Sequence, residues 1–226
     1  MARPAPRRPK RKSAKKPSKK PLVRLDNEER RAQLLAIGRT AFARHSYDEV
    51  SIDDLAAKAG LSKGLFYYYF PTKRDLYVAG LRQTANELLT KLVTAAARDL
   101  PPRQRAILSV QAYLDHVVGH GAGFVALMRG GIGSDPEVAA VLETVRTGIV
   151  DEFLTGAPIA AVLRARPLAR IAIRGWVGMV EAVSIEWLAQ PGLQRDRVRD
   201  LLVDALFDLL VRILDPKDVA AYRPPA

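Results

Sequence analysis

Residues 51–76 read SIDDLAAKAGLSKGLFYYYFPTKRDL, and this stretch decides the fold. Ser51 can cap a helix, and with Asp54 three residues on it resembles a capping box. Ile52, Leu55, Ala56 and Ala59 then recur at one-face helical spacing. Ala56 and Ala59 are small enough to let a second helix cross closely. Gly60 supplies the left-handed backbone that a tight turn needs, and Leu61 is placed to plug the core beneath it. Ser62 caps the next helix, in which Phe66 and Phe70, four apart, face inward. Pro71 ends it. Two short helices joined by so tight a turn form a helix-turn-helix, whose second helix lies in the major groove of DNA. Successive helical positions lie about 100° apart, so Tyr67, Tyr68 and Tyr69 cannot all be core. An exposed tyrosine beside Lys63 and Lys73 can bond a phosphate or lie against a thymine methyl. Tyr67 and Tyr69 can instead pack on the neighbouring helices.

Outward from this stretch the chain reads as all-α. A first helix is predicted from about Asp26 to His45, capped by Asp26 or Asn27, with Leu34, Ile37, Gly38, Ala41 and Phe42 inward. A fourth runs from Thr72 towards Arg98. After Pro101-Pro102 comes one from Arg103 to Val118, and Gly119, Gly121 and Gly123 loosen the next junction. Ser134-Asp135-Pro136-Glu137 starts a helix reaching Leu154, closed by Gly156 and Pro158. Two long helices follow, roughly Pro167–Ala189 and Arg195–Asp215. The last carries Leu201, Leu202, Ala205, Leu206, Leu209, Leu210 and Ile213, a stripe wider than one neighbour needs. The one before it offers Gly175, Gly178 and Ala182 for close approach. Its Arg174 and Glu181 are either a structural pair or polar anchors in a cavity.

The 226 residues carry a formal net charge of +12, and eleven Lys/Arg with no acid lie within residues 1–24. Residues 25–226 are therefore close to neutral. Five prolines among those cations argue against a core there, so residues 1–24 are expected to be disordered. The segment is either a mobile arm on DNA phosphates or a solvated terminus without a target. Residues 216–226 are expected to be a second flexible tail. With no cysteine, disulfides and thiolate sites are excluded. The basic N-terminus lacks the apolar region of a secretory signal. Arg174, Glu181 and Glu186 interrupt the longest apolar segment, which argues against a membrane span. His116 and His120 are four apart, but zinc needs a third ligand. The glycines near Gly119 and Gly130 lack the following Gly-Lys-Ser/Thr of a phosphate loop. No nucleophile–base–orienter set is readable, which argues against an enzyme; no cofactor is expected.

The run Ala56-x-x-Ala59-Gly60-Leu61-Ser62-Lys63-Gly64-x-Phe66-Tyr67-x-Tyr69-Phe70-x-x-Lys73-x-x-Leu76 resembles the signature of the tetracycline-repressor (TetR) family of transcriptional regulators. Leu34-Leu35 through Phe42 and Tyr47 is similar to that family's first helix, so the resemblance spans residues 27–77. It implies a DNA-binding headpiece over residues 25–71 and a helical ligand-binding and dimerisation domain over 72–215. It also implies a cytoplasmic, nucleoid-associated homodimer on double-stranded DNA with a palindromic operator, most simply a repressor. Carried over by position, Lys63, Gly64, Leu65 and Tyr68 would face bases or the groove wall. Ser51, Ser62, Tyr67, Tyr69 and Lys73 would hold phosphates. Asp53 falls where relatives often place a cation, so it is not counted as a contact. Ser46 replaces the usual glycine, which predicts a slightly strained turn. The small-molecule effector is expected to be hydrophobic, in a pocket lined by Phe124, Leu127, Met128, Phe153, Trp176 and Met179. The alternative is a non-specific architectural DNA binder driven by the basic tail.

Overall fold

The computed structural model describes residues 27–216 and 218, apart from 98, 130 and 158. The expected basic tail, the Asp26 cap and most of the C-terminal tail lie outside these residues. The described chain is all-α: α1 (Asn27–Arg44), α2 (Ile52–Ala59), α3 (Lys63–Tyr69), α4 (Lys73–Ala96), α5 (Pro102–Arg129), α6 (Pro136–Thr155), α7 (Ala160–Arg164), α8 (Ala169–Leu188) and α9 (Arg195–Ile213). A short 3-10 turn, Gly131–Ser134, joins α5 to α6. Among the described residues no helix is long and apolar enough to cross a membrane.

Local chemistry sets these boundaries. Ser51 caps α2 by accepting from the Asp54 N–H at 3.4 Å, but only that half of the expected box forms. Gly60 ends α2 at φ 64°, ψ 29°. Its N–H bonds the Ala57 carbonyl, and the Leu61 N–H bonds that of Ala56 at 3.0 Å. This is a Schellman closure, which leaves Leu61 against the core. Thr72 and Asp75 form a full capping box at the start of α4. Asp135 caps α6, accepting from the N–H groups of Glu137 and Val138. The expected strain at Ser46 does not occur, because among the described residues no non-glycine residue has a positive φ. Ser46 is held instead by the Glu49 carboxylate, which accepts from its N–H and its hydroxyl at 2.8 Å each.

The predicted break at Gly119–Gly123 is a kink inside one helix: Gly121 leaves helical geometry at φ 9°, ψ −98°. The short α7 has no counterpart among the helices expected from sequence. Two cores result. The first packs Leu34, Phe42, Phe66, Phe70, Leu76 and Tyr77, and it takes in Leu127 from α5 and Val138 from α6. The second packs Leu114, Val117, Leu163, Ile173, Leu202 and Leu206. The α9 stripe therefore divides. Leu202, Leu206 and Leu210 turn inward, while Leu201 stays outside with Leu168 and Ile171.

Candidate nucleic-acid interface

α3 is fixed from behind and presents one free face. Phe66 and Phe70 are 1% and 3% exposed, so they anchor the helix to α1, α2 and α4. Lys63, Gly64, Tyr67 and Tyr68 form the exposed side, with Tyr68 73% exposed. The Ser62 hydroxyl accepts from the Leu65 N–H at 3.2 Å. Ser62 thus stands at the positive end of α3, where backbone N–H groups favour an anion. Lys63 reaches back to α2 and donates to Asp53 at 2.9 Å. Its ammonium also lies 5.9 Å from the centre of the Tyr67 ring. The Asp53 carboxylate raises the Lys63 pKa, so this cation stays charged.

The other sequence-predicted contacts are less free. Leu65 is half-buried against the headpiece core. The Tyr69 hydroxyl donates to the Asn27 side chain at 3.1 Å, and its ring meets Tyr68 edge-on at 4.9 Å. Lys73 donates to the Val50 carbonyl at 2.9 Å and sits 4.3 Å from the Tyr47 ring centre. It ties the loop before α2 to the start of α4. Ser51 lends its hydroxyl to the α2 cap.

A second feature lies in the body. A cavity of about 510 Å³ opens between α4, α5, α6, α8 and α9, walled mainly by apolar side chains such as Leu92, Val110, Ile149, Val180 and Phe207. Phe153 and Trp176, two of the residues expected at the effector site, line it with ring centres 6.0 Å apart. Phe124, Leu127, Met128 and Met179 do not. Phe124 is buried in the body core, with Met128 and Met179 packed against that core, and Leu127 belongs to the headpiece core. The three α5 residues among them all lie beyond the Gly121 kink. Tyr113 lines the cavity, yet its hydroxyl is sealed in the wall without a hydrogen-bond partner, and burial pushes its pKa up.

Arg174 and Glu181 pair with α6 rather than with each other. Arg174 donates to Glu143 at 2.8 Å, and Arg146 grips both Glu181 oxygens at 2.8 and 3.0 Å. His116 and His120 stack with ring centres 4.1 Å apart outside the cavity lining. Among the described residues no third ligand-type side chain gathers with them. A link that sequence reasoning missed joins the start of α4 to the start of α6. Arg74, at the start of α4, donates to both Asp135 oxygens at 2.6 and 2.7 Å and to Glu137 at 2.8 Å. Arg82 also reaches Glu137. The acids are visible in the sequence, but no local signal names their partner 61 positions away.

Residues 34–79 match the family model of bacterial regulatory proteins of the tetR family. Residues 102–209 match that of the tetracyclin repressor-like C-terminal domain. A tetR-family transcriptional regulator from Streptomyces coelicolor superposes with a TM-score of 0.78 at 31% identity, covering 88% of this chain and 92% of that one. The HTH-type transcriptional activator FasR of Mycolicibacterium smegmatis is 29% identical over 57% of this chain. The regulator EthR of the same organism is 35% identical over 25% of this chain. These two matches span 58% and 26% of the relatives' own lengths.

Proposed function

The chain belongs to the TetR family of DNA-binding transcriptional regulators, a non-enzymatic family, and from that premise we propose a dimeric repressor controlled by an apolar effector. Two copies would set their α3 helices in successive major grooves of a palindromic operator, about one turn or ~34 Å apart. Exposed Leu168, Ile171 and Leu201, with the open surfaces of Gly175 and Gly178, support a paired α8–α9 face.

The observation that carries the effector reading is α6 itself. Its middle walls the cavity through Val145, Ile149 and Phe153, while its capped N-terminus is clamped to α4 by Arg74. An occupant that shifts α6 acts on the helix that follows α3. The effector's leverage equals its difference in affinity between the DNA-bound and released forms. The cavity volume lies within the roughly 300–1,000 Å³ of sites that bury drug-sized ligands.

The direct test combines analytical ultracentrifugation with titration of a selected operator duplex. Two protomers per duplex, lost on adding an apolar molecule that occupies the cavity, are expected. A monomer on an asymmetric half-site would refute the dimer. In Arg74→Ala the same molecule should still bind but shift operator affinity several-fold less. Unchanged coupling would remove Arg74 from the route. The likeness to FasR favours a second reading of the output, in which operator binding activates. A reporter placed behind the operator decides between them by the sign of its change when the gene is deleted.

A further inference from the structure

Asp53 stands outside the contact set that family resemblance implies, and its partner brings it back. Lys63 and Asp53 lie on different helices and pair at 2.8 Å, with side chains 55% and 61% exposed. An ion pair this exposed adds little to folding stability. Its position is more informative. It sits on the free side of α3 beside Tyr67 and Tyr68, where a lone carboxylate would repel phosphate. A carboxylate on that face gains only if it accepts from a donor, and the bases offer two in the major groove, cytosine N4 and adenine N6.

We propose that Lys63 and Asp53 act as one reading unit for a single G·C base pair, with Lys63 on guanine and Asp53 on cytosine; this rests on α3 lying in the major groove. The paired side chains present a donor and an acceptor 2.8–2.9 Å apart. Guanine O6 and cytosine N4 present the complement, an acceptor and a donor joined by their own N–H···O bond of about 2.9 Å. Lys63 can add guanine N7, the neighbouring acceptor. The inverted C·G pair shows donor before acceptor and faces ammonium with amino group and carboxylate with carbonyl. A·T and T·A offer one donor, adenine N6, flanked by single acceptors at adenine N7 and thymine O4, so no two acceptors lie side by side for Lys63. The expected order is therefore G·C first, A·T and T·A next, C·G last. Asp53 also holds the flexible Lys63 stem over its target, so the cation is not spent on the nearest phosphate.

The test selects binding sites for the full chain from a randomised duplex pool. The best site is then titrated with the parent, Asp53→Ala, Asp53→Asn and Lys63→Ala. Both positions are exposed, so the variants should melt with the parent, which a thermal scan verifies. The parent should show one fixed G·C pair in each half-site, and inverting it should weaken binding about tenfold or more. Asp53→Ala should lose most of that inversion penalty, Asp53→Asn should also relax that column, and Lys63→Ala should flatten it. Three results overturn the proposal. Asp53→Ala can bind more tightly with every base preference unchanged, which makes Asp53 only a repelling charge. Asp53→Ala and Lys63→Ala can alter different columns, which breaks the unit. Lys63→Ala can leave all preferences intact, in which case the placement of α3 itself is wrong.

Discussion

Gly123→Ala is the sharpest test of how body and headpiece meet. A methyl group built at Gly123 lies 2.0 Å from the Phe42 carbonyl oxygen, 3.2 Å from its carbonyl carbon and 3.3 Å from that of Ala43. Comfortable non-bonded contacts begin at about 3.5 Å, so the end of α1 and the rear half of α5 must part by more than an ångström. The obstacle is backbone on both sides, so no side chain can rotate away. The parting would loosen Phe42 and Leu127, each 8% exposed in the shared core. Overpacking of this kind costs typically about 1–3 kcal/mol, and backbone contact puts it near the upper end. For a chain of this size each kcal/mol moves the melting temperature by about 2–4 °C, so a drop of roughly 5–12 °C is expected. Calorimetry at fixed protomer concentration measures it, because dimerisation would make the melting temperature concentration-dependent. Gly119→Ala is the control. It lies in the same helix, a methyl group placed there meets nothing within 4 Å, and the change should be neutral or stabilising by up to about 1 kcal/mol. If Gly123→Ala melts within a degree of the parent, α1 and α5 do not approach as closely as the structure shows.

Tyr113→Phe removes a sealed hydroxyl without a partner; it should leave stability unchanged or raise it by about 1 kcal/mol, and a loss above that in thermal melts would mean the hydroxyl has a partner. Burial and the neighbouring His120 lower the His116 pKa to about 4. Folded His116 therefore binds fewer protons than the unfolded chain, and its stability contribution, complete above pH 6.5, falls away as pH drops towards 4. His116→Gln should flatten that limb in urea melts run across pH, and an unchanged limb counts against it. Hydrogen bonds from Arg74 lower the Asp135 pKa to about 2, so its contribution is present above pH 3.8 and is lost between there and pH 2. Arg74→Ala should shrink this second, more acid limb to what the Glu137 and Val138 N–H groups sustain, while sparing the first. Deleting residues 1–24 removes eleven positive charges. It should weaken binding to all duplexes and reduce the salt slope by about 0.9 for each phosphate left unneutralised, with operator preference kept. Loss of the preference as well would favour the architectural reading.

Where the sequence was legible, the physics was local. Gly60, Ser62, Thr72 and Asp135 act within four residues of themselves, so turns and helix starts could be read from neighbours alone. Phe66 and Phe70 had to face inward once α3 was placed, and angular spacing required at least one of the three tyrosines to be exposed, as Tyr67 and Tyr68 are. Lys63 and Lys73 looked alike as exposed cations on a basic front. Their difference lies in what stands opposite: Asp53 on another helix for one, the Val50 carbonyl and the Tyr47 ring for the other. Periodicity carries no record of such partners. Four of the six residues expected at the effector site lie outside the cavity lining for a related reason. Phe124, Leu127 and Met128 sit at sound helical spacing beyond the Gly121 kink, yet Phe124 and Met128 join the body core and Leu127 the headpiece core.

That kink also bears on how the two compartments communicate. Val110 and Tyr113, before it, line the cavity; Leu127, after it, packs with Phe42 and Leu76. α6 repeats the arrangement with Ile149 and Phe153 at the cavity and Val138 in the headpiece core. Both helices are members of both cores. Close-packed interiors transmit displacement rather than absorb it, so a change in spacing between α5 and α6 at the cavity must be taken up around Leu127 and Val138. The Arg74 ion pairs run beside this apolar route. Removing them should reduce coupling without abolishing it, whereas Gly123→Ala, which opens the apolar route, should change operator affinity even with the cavity empty.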